Sequence, residues 1–280
     1  MKKQTVTESS VRAFARNLYE NEKSPATIQK YTRDLRFFAI YANGRAVNKS
    51  LVLEYKAHLA HKYALTSANS MLAALNAFLR TCGRVDCIVK QFKVQQQTFC
   101  PAEKELSKTE YFALVKAAVK KKKERLSLLI QTLCATGMRV SEISCITVSA
   151  LQKGYADVSC KGKKRRVFIV PELQKKLLRY AKKHKITKGM IFVTKTGRAI
   201  DRSNVWAEMK KLCRDAGVSA RKVFPHNLRH LFARTFYNLE KDVAKLADIL
   251  GHSNINTTRI YTVSSGREHR RKMENMRLII

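Results

Sequence analysis

Long apolar runs are missing from this sequence. No stretch of about 18 consecutive apolar residues occurs, so no membrane-crossing helix is encoded. The first residues, Met1-Lys2-Lys3-Gln4-Thr5, lead into Ser and Arg without an apolar segment, which excludes an ordinary secretory signal. The cysteines, at positions 82, 87, 100, 134, 145, 160 and 213, are odd in number and form no C-x-x-C pair. Neither a disulfide framework nor a zinc site is expected from them, and they read as buried or incidental thiols in a reducing compartment. No internal repeat, no low-complexity tract and no carboxylate cluster suited to a two-metal site is evident. The expectation is a cytoplasmic protein, working at the bacterial nucleoid, with no membrane partner, no metal and no cofactor.

Acidic residues are also scarce. Against 56 Lys+Arg stand 21 Asp+Glu, a formal net charge of +35 over 280 residues. Hydrophobic residues make up 45% of the chain, enough for packed cores, so a disordered polycation is excluded. Residues 1–100 carry 16 basic and 6 acidic residues, and residues 101–280 carry 40 and 15. Both halves could therefore lie against phosphates, as in a clamp around a duplex. Double-stranded DNA offers one negative charge per roughly 1.7 Å of axis, and counterion release drives basic proteins onto it. Charge alone does not separate DNA from RNA, an enzyme from a binder, or either from a generally basic surface.

The length suits two modest domains. The first, 1–97, reads as a bundle of about four helices. Val11, Phe14 and Leu18 mark an opening helix, and Ser24-Pro25 starts a second through Ile28, Tyr31, Leu35 and Phe38. Leu51, Tyr55 and Leu59 mark a third, and Met71, Leu72, Leu75 and Leu79 a fourth. A linker is placed at 98–105, after a polar stretch that ends in Pro101. The second domain, 106–280, opens with a capping box, Ser107-x-x-Glu110. It is predicted to be mainly α with a small β-sheet. Its hairpin would run from Tyr155 to Cys160, turn at 161–164, and return from Arg165 to Val170. Helices follow over 172–184, 203–216 and 225–239.

The last of these carries the chemistry. Leu228, Leu231, Phe232, Thr235, Phe236 and Leu239 recur at helical spacing and predict one buried stripe. His226, Arg229, His230 and Ala233 then fall on the other side, in the first turns, where free N–H groups and the helix dipole favour an anion. A solvated basic face is the competing reading. A further helix runs from Asp242 to Leu250, Gly251 stops it, and His252 follows; Asn256 or Thr257 then caps a short helix bearing Tyr261. Lys161-Gly162-Lys163-Lys164-Arg165-Arg166 places a dense basic run at the hairpin turn, with Lys163, Lys164, Arg165 and Arg166 as candidate DNA contacts. Such side chains suit a phosphodiester. A tyrosine hydroxyl is a nucleophile once it loses its proton, arginines answer charge on the non-bridging oxygens, and a lysine on a turn could protonate a leaving oxygen.

Several boxes carry a family resemblance. Ala135-Thr136-Gly137-Met138-Arg139-Val140-Ser141-Glu142, His226-Asn227-Leu228-Arg229-His230, and Leu250-Gly251-His252-Ser253 through Thr257-Thr258-Arg259-Ile260-Tyr261 resemble the boxes of the tyrosine recombinase (phage integrase) family. The turn at Lys161 resembles the hairpin that bears the family's catalytic lysine. The resemblance covers about 104–280, with a helical N-terminal part similar in kind to the family's core-binding domain. It implies that Tyr261 attacks the scissile phosphate to form a 3′-phosphotyrosyl link, while Arg139 and Arg229 hold the non-bridging oxygens. Lys161 would protonate the leaving 5′-oxygen, with Lys163 and Lys164 as rivals for that role. His226 would act in proton transfer, His252 would donate to the phosphate, Glu142 would orient the site from behind, and His230 would brace the helix. Exchange would need neither ATP nor metal, and would proceed in a homotetramer through a Holliday junction. The tail, residues 266–280, would dock on a neighbouring subunit through Met273, Met276 and Ile279–Ile280. The partner would be double-stranded DNA bearing recombination sites, and the outcome integration and excision, inversion or resolution. A non-catalytic DNA-binding protein on the same fold and a type IB-like topoisomerase are the alternatives.

Overall fold

A computed structural model describes residues 5–94, 105–160, 163–194, 196–252, 254–261 and 274–275. The chain falls into two compact units, Met1–Gln96 and Gln97–Ile280. The expected linker at 98–105 lies outside the described residues, Glu105 excepted.

The N-terminal unit holds α1 (Glu8–Glu20), α2 (Pro25–Ala42), α3 (Lys49–Lys62) and α4 (Leu65–Thr81). Each start follows from a local side chain where one is supplied. Thr7 and Ser10 form a capping box before α1, Ser24 accepts from the Thr27 N–H with Pro25 at the first helical position of α2, and Asn48 caps α3. Phe14, Phe38, Leu35, Tyr55, Leu72 and Leu79 meet in the core, with Phe14 edge-on to Phe78 at 5.5 Å.

The C-terminal unit is mainly α with one two-stranded sheet. It opens with α5 (Lys108–Lys120), whose capping box pairs Ser107 with Glu110, and continues with α6 (Glu124–Thr136). A 3-10 turn covers Val140–Cys145. Val140 and Ile143, three residues apart, suit the tighter 3-10 winding. Next come α7 (Val148–Lys153), β1 (Tyr155–Cys160) and β2 (Lys163–Phe168). The strands pair antiparallel from Tyr155↔Phe168 to Cys160↔Lys163, so the connection is shorter than the 161–164 turn expected. Then follow α8 (Pro171–Lys183), α9 (Arg202–Lys210), α10 (Cys213–Ala216), α11 (Pro225–Glu240), α12 (Val243–Leu250) and α13 (Asn256–Arg259). The predicted helix over 203–216 is thus broken into α9 and α10. No helix among the described residues is long and apolar enough to cross a membrane.

Two cores form in this unit. The larger gathers Leu114, Leu129, Leu133, Ile146, Val158, Leu177, Phe192, Met209 and Leu228. The smaller joins Ala233, Leu246, Leu250 and Tyr261. It overturns the predicted stripe on α11. The buried face of that helix is Pro225, Asn227, Leu228, Arg229 and Ala233, while Leu239 is 79% exposed and Thr235 is exposed. The reason is that α12 and the Tyr261 ring pack on the His/Arg face of α11. The stripe residues Leu231, Thr235 and Leu239 instead line an open cavity of about 660 Å³.

Candidate active site

Arg229 is the largest fully buried side chain among the described residues, 1% exposed. A buried guanidinium needs acceptors, and two helix ends supply them. Its NH1 donates to the Gly137 carbonyl at 2.7 Å, just past the end of α6. Its NH2 donates to the Leu250 carbonyl at 2.8 Å, the last residue of α12. Terminal carbonyls have no partner within their own helix and carry the negative end of its dipole, so one cation caps both. Gly137 and Gly251 stop these helices in the left-handed region, with φ of 64° and 66°. A Cβ on Gly137 would lie 2.5 Å from the Phe232 ring, and one on Gly251 would lie 2.6 Å from Arg165 Cδ. Both glycines therefore permit a close approach as well as a backbone shape. The Nε of Arg229 is buried and has no hydrogen-bond partner.

Arg139 precedes the 3-10 turn and is held by Glu142, which is 4% exposed. Glu142 Oε1 accepts from Arg139 NH1 at 2.8 Å, and Oε2 accepts from the Arg139 backbone N–H at 2.8 Å and from Arg165 NH2 at 2.7 Å. One carboxylate thus orients two guanidiniums from behind. Arg165, expected as a DNA contact on the hairpin, turns inwards across Gly251 and leaves its side chain 11% exposed. Arg166 pairs with Asp157 at 3.0 Å and stacks over Tyr155, and Lys164 is exposed. Lys161 and the Lys163 side chain lie outside the described residues.

Three histidines complete the cluster. His226 and His230, one helical turn apart on α11, meet edge-to-face at 4.6 Å, and His230 meets the Tyr261 ring edge-to-face at 4.7 Å. His230, expected only to brace the helix, is thus a direct neighbour of the phenol. His252 stacks on Tyr261 at 6.0 Å. Tyr261 is 3% exposed and its hydroxyl interacts with the Arg229 guanidinium. The cap expected from Asn256 or Thr257 falls instead on Ile255, which has no side-chain cap; Asn254 Oδ1 accepts from the Asn256 N–H at 2.8 Å.

The electrostatics follow from this crowding. Burial, with Arg139 as the next cause, draws the Arg229 guanidinium down to about 10, so it stays charged at neutral pH. Burial, then His226 and Arg229, brings His230 to about 4; burial, then Arg229, Arg139, Arg165 and His226, does the same to His252. His226 is lowered as well, by burial and then by Arg229, Arg139 and Arg202. At neutral pH the imidazoles are therefore uncharged, and the guanidiniums carry the positive charge. A cavity of about 240 Å³ opens between Arg139, Arg229 and His226. Arg202, at the start of α9, lines it too, and no pattern in the sequence singled it out. Among the described residues no group of three or more His, Cys, Asp or Glu is placed to hold a metal ion. The cavity can grip a small oxyanion between guanidiniums beside the neutral His226 imidazole, and the Tyr261 hydroxyl meets one of those guanidiniums, Arg229.

The sequence profile of the phage integrase family matches residues 104–268. The tyrosine recombinase XerA of Pyrococcus furiosus is 28% identical over 287 residues, covering 100% of this chain and 98% of that protein. Among solved structures, the Tn1549 transposon integrase in complex with transposon right-end DNA superposes with a TM-score of 0.74 at 17% identity, covering 95% of this chain and 98% of that one. The lambda integrase tetramer bound to a Holliday junction gives 0.73 at 16% identity, covering 92% and 78%. The fold and the sequence match place the chain among the tyrosine recombinases. The chain belongs to the phage integrase family.

Proposed function

We propose that this protein is a site-specific DNA recombinase that cuts and rejoins duplex DNA through a covalent link to Tyr261. In this reading the Tyr261 oxygen attacks the scissile phosphorus, the P–O5′ bond breaks, and a 3′-phosphotyrosyl bond replaces it. The phenol proton passes to a neutral imidazole of the His226/His230 pair, and Lys161 returns a proton to the departing 5′-oxygen. Arg139 and Arg229 hold the non-bridging oxygens, where charge gathers in the transition state, and His252 donates to one of them. Attack by the 5′-hydroxyl of a partner strand restores the phosphodiester and frees Tyr261, so the step is balanced without an added energy source. Two such exchanges in a tetramer would pass through a Holliday junction. The tail, residues 266–280, which lies outside the described residues save Glu274 and Asn275, is assigned to docking on a neighbouring subunit. Support for DNA as partner comes from the +35 charge and from the DNA-bound relatives. Each of the two domains, 1–97 and 106–280, is proposed to contact the duplex.

The observation that carries the reading is the Arg229 cluster. The buried Arg229 guanidinium keeps an Nε without a hydrogen-bond partner, meets the Tyr261 hydroxyl, and lines one small cavity with Arg139 and His226, which suits an incoming phosphate oxygen. The test is a nicked duplex bearing the recombination site, in which the cut strand diffuses away and traps the intermediate. The wild type is expected to form a protein–DNA adduct that is absent in Tyr261→Phe. Binding without any adduct in the wild type would leave only a DNA-gripping protein, and relaxation of any supercoiled plasmid without site preference would point to a topoisomerase.

A further inference from the structure

His252 shows which of its nitrogens carries the hydrogen. Arg229 NH2 lies 2.9 Å from Nε2, and a guanidinium can only donate. Nε2 is therefore an acceptor, and the hydrogen of the neutral ring sits on Nδ1. That nitrogen is 2.8 Å from Thr258 Oγ1, so it donates to the threonine hydroxyl. Thr258 is fully buried on α13, one turn before Tyr261. Its hydroxyl and the Arg229 guanidinium grip the ring from opposite sides.

This resting state is the reverse of what a phosphate requires. To donate to a phosphate oxygen, Nε2 must carry a hydrogen. The ring could gain one by becoming charged, but Arg229, Arg139, Arg165 and His226 all face it and oppose a further positive charge. A backbone carbonyl or a carboxylate in place of Thr258 would hold the hydrogen on Nδ1 and leave charging as the sole route. A hydroxyl differs, because it both accepts and donates. When a phosphate oxygen takes the Arg229 NH2 hydrogen in place of Nε2, the Thr258 hydroxyl can rotate and donate to Nδ1. The ring gives its Nδ1 hydrogen to water and takes one from water at Nε2, so it ends with its single hydrogen on Nε2 and no net gain of protons.

Resting on the recombinase reading above, we propose that Thr258 is a positioning residue that fixes the His252 ring and lets it change from hydrogen-bond acceptor to donor without becoming charged. Thr258→Val keeps the shape and removes the hydroxyl. A buried ring N–H without a partner is unfavourable, so the variant ring is expected to leave its resting tautomer or its orientation.

The experiment uses the full chain and two measurements. Nitrogen-15 spectra of histidine-labelled protein report which ring nitrogen is protonated. The DNA-free wild type is expected to show Nδ1–H and bare Nε2. In the complex of Tyr261→Phe with uncut duplex, Nε2–H and bare Nδ1 are expected. Adduct formation on the nicked duplex is then expected to slow about tenfold to hundredfold in Thr258→Val, with duplex affinity within about twofold, and to stay near wild type in Thr258→Ser. A hydrogen already on Nε2 in the free protein, two ring hydrogens in the complex, or a Thr258→Val rate equal to wild type would each overturn the proposal. Should Thr258→Val fail to fold, the wild-type and Thr258→Ser spectra still decide it. Absence of any adduct in the wild type would overturn the recombinase reading, while the free-protein spectrum would still test the resting tautomer.

Discussion

Gly137→Ala isolates the contact on which the catalytic helix rests. Gly137 has φ +64°, and an added Cβ would meet Phe232 Cδ1 at 2.5 Å, Cε1 at 2.8 Å and Cγ at 3.1 Å. Phe232 is half-buried against the small core, and a packed ring shifts at greater cost than a lysine tip. The left-handed backbone costs an alanine about 1–2 kcal/mol, and overpacking adds about 1–3 kcal/mol. Lost freedom in the unfolded chain returns about 0.4–1 kcal/mol. The expected net loss is about 2–4 kcal/mol, or a fall in Tm of roughly 5–15 °C for a unit of this size. Gly154 provides the comparison. It also ends a helix in the left-handed region, at φ +78°, but nothing lies within 4 Å of its added Cβ. Gly154→Ala should therefore show the backbone contribution alone. Activity should divide the two further, because the Gly137 carbonyl is an acceptor for Arg229 and Phe232 follows Arg229 on α11 by three residues. With both variants fully folded at 20 °C or below, Gly137→Ala should lose at least about tenfold in adduct formation and Gly154→Ala little. Adding Phe232→Ala should recover part of the lost stability in the first variant and none in the second. Equal melting temperatures for the two glycine variants, or no coupling to Phe232, would refute the reasoning.

Acid should destabilise the C-terminal unit before its carboxylates titrate. His230 and His252 are held at about 4, whereas imidazoles in the unfolded chain titrate near ~6.5. Between these values the unfolded chain binds more protons, so this stabilising contribution is whole above about 6.5 and fades as the pH falls towards 4. Urea titrations at stepped pH should show the midpoint falling across that window, and His230→Gln should flatten the trend. Deleting residues 266–280 should leave duplex binding intact and weaken assembly of the synaptic complex, read by gel mobility and light scattering; an unchanged synapse would refute the docking role of the tail.

The pieces of the site were legible in the sequence because each is a local device. Arg139 follows a helix stop, His226, Arg229 and His230 share two turns of one helix, and His252 follows the glycine that ends α12. Their convergence was not a matter of spacing, and only the resemblance implied it. Periodicity failed on α11 for a physical reason. Counting apolar types assigns Leu239 to the core and Arg229 to solvent, whereas Leu239 is 79% exposed and Arg229 is 1% exposed. The two helix ends that make a buried guanidinium tolerable lie about 90 and 20 residues away in the chain (Gly137 and Leu250), beyond the reach of any helical window. Arg165 was grouped with a basic surface run, yet it lies inwards because Gly251 has no side chain to block it. Arg202 carried no signal, and Thr258 lay inside the final family box with nothing in residue type or spacing to give it a role of its own.

The two arginines expected to share one phosphate are held in different ways, and the difference bears on how the site works. Arg229 is enclosed and fixed by carbonyls at the ends of two helices, so its position is set by the packing of α6, α11 and α12 and changes little when a ligand arrives. Arg139 has a side chain 34% exposed and is steered by a carboxylate that it shares with Arg165 on the hairpin. A shift of β2 therefore acts on Glu142, and through it on Arg139, while leaving Arg229 in place. The hairpin that bears the Lys161 turn and the arginine on the open side of the cavity are thus linked by one buried carboxylate. Such a linkage would tie the placement of the acid to the grip on the phosphate, against a guanidinium that is already rigid.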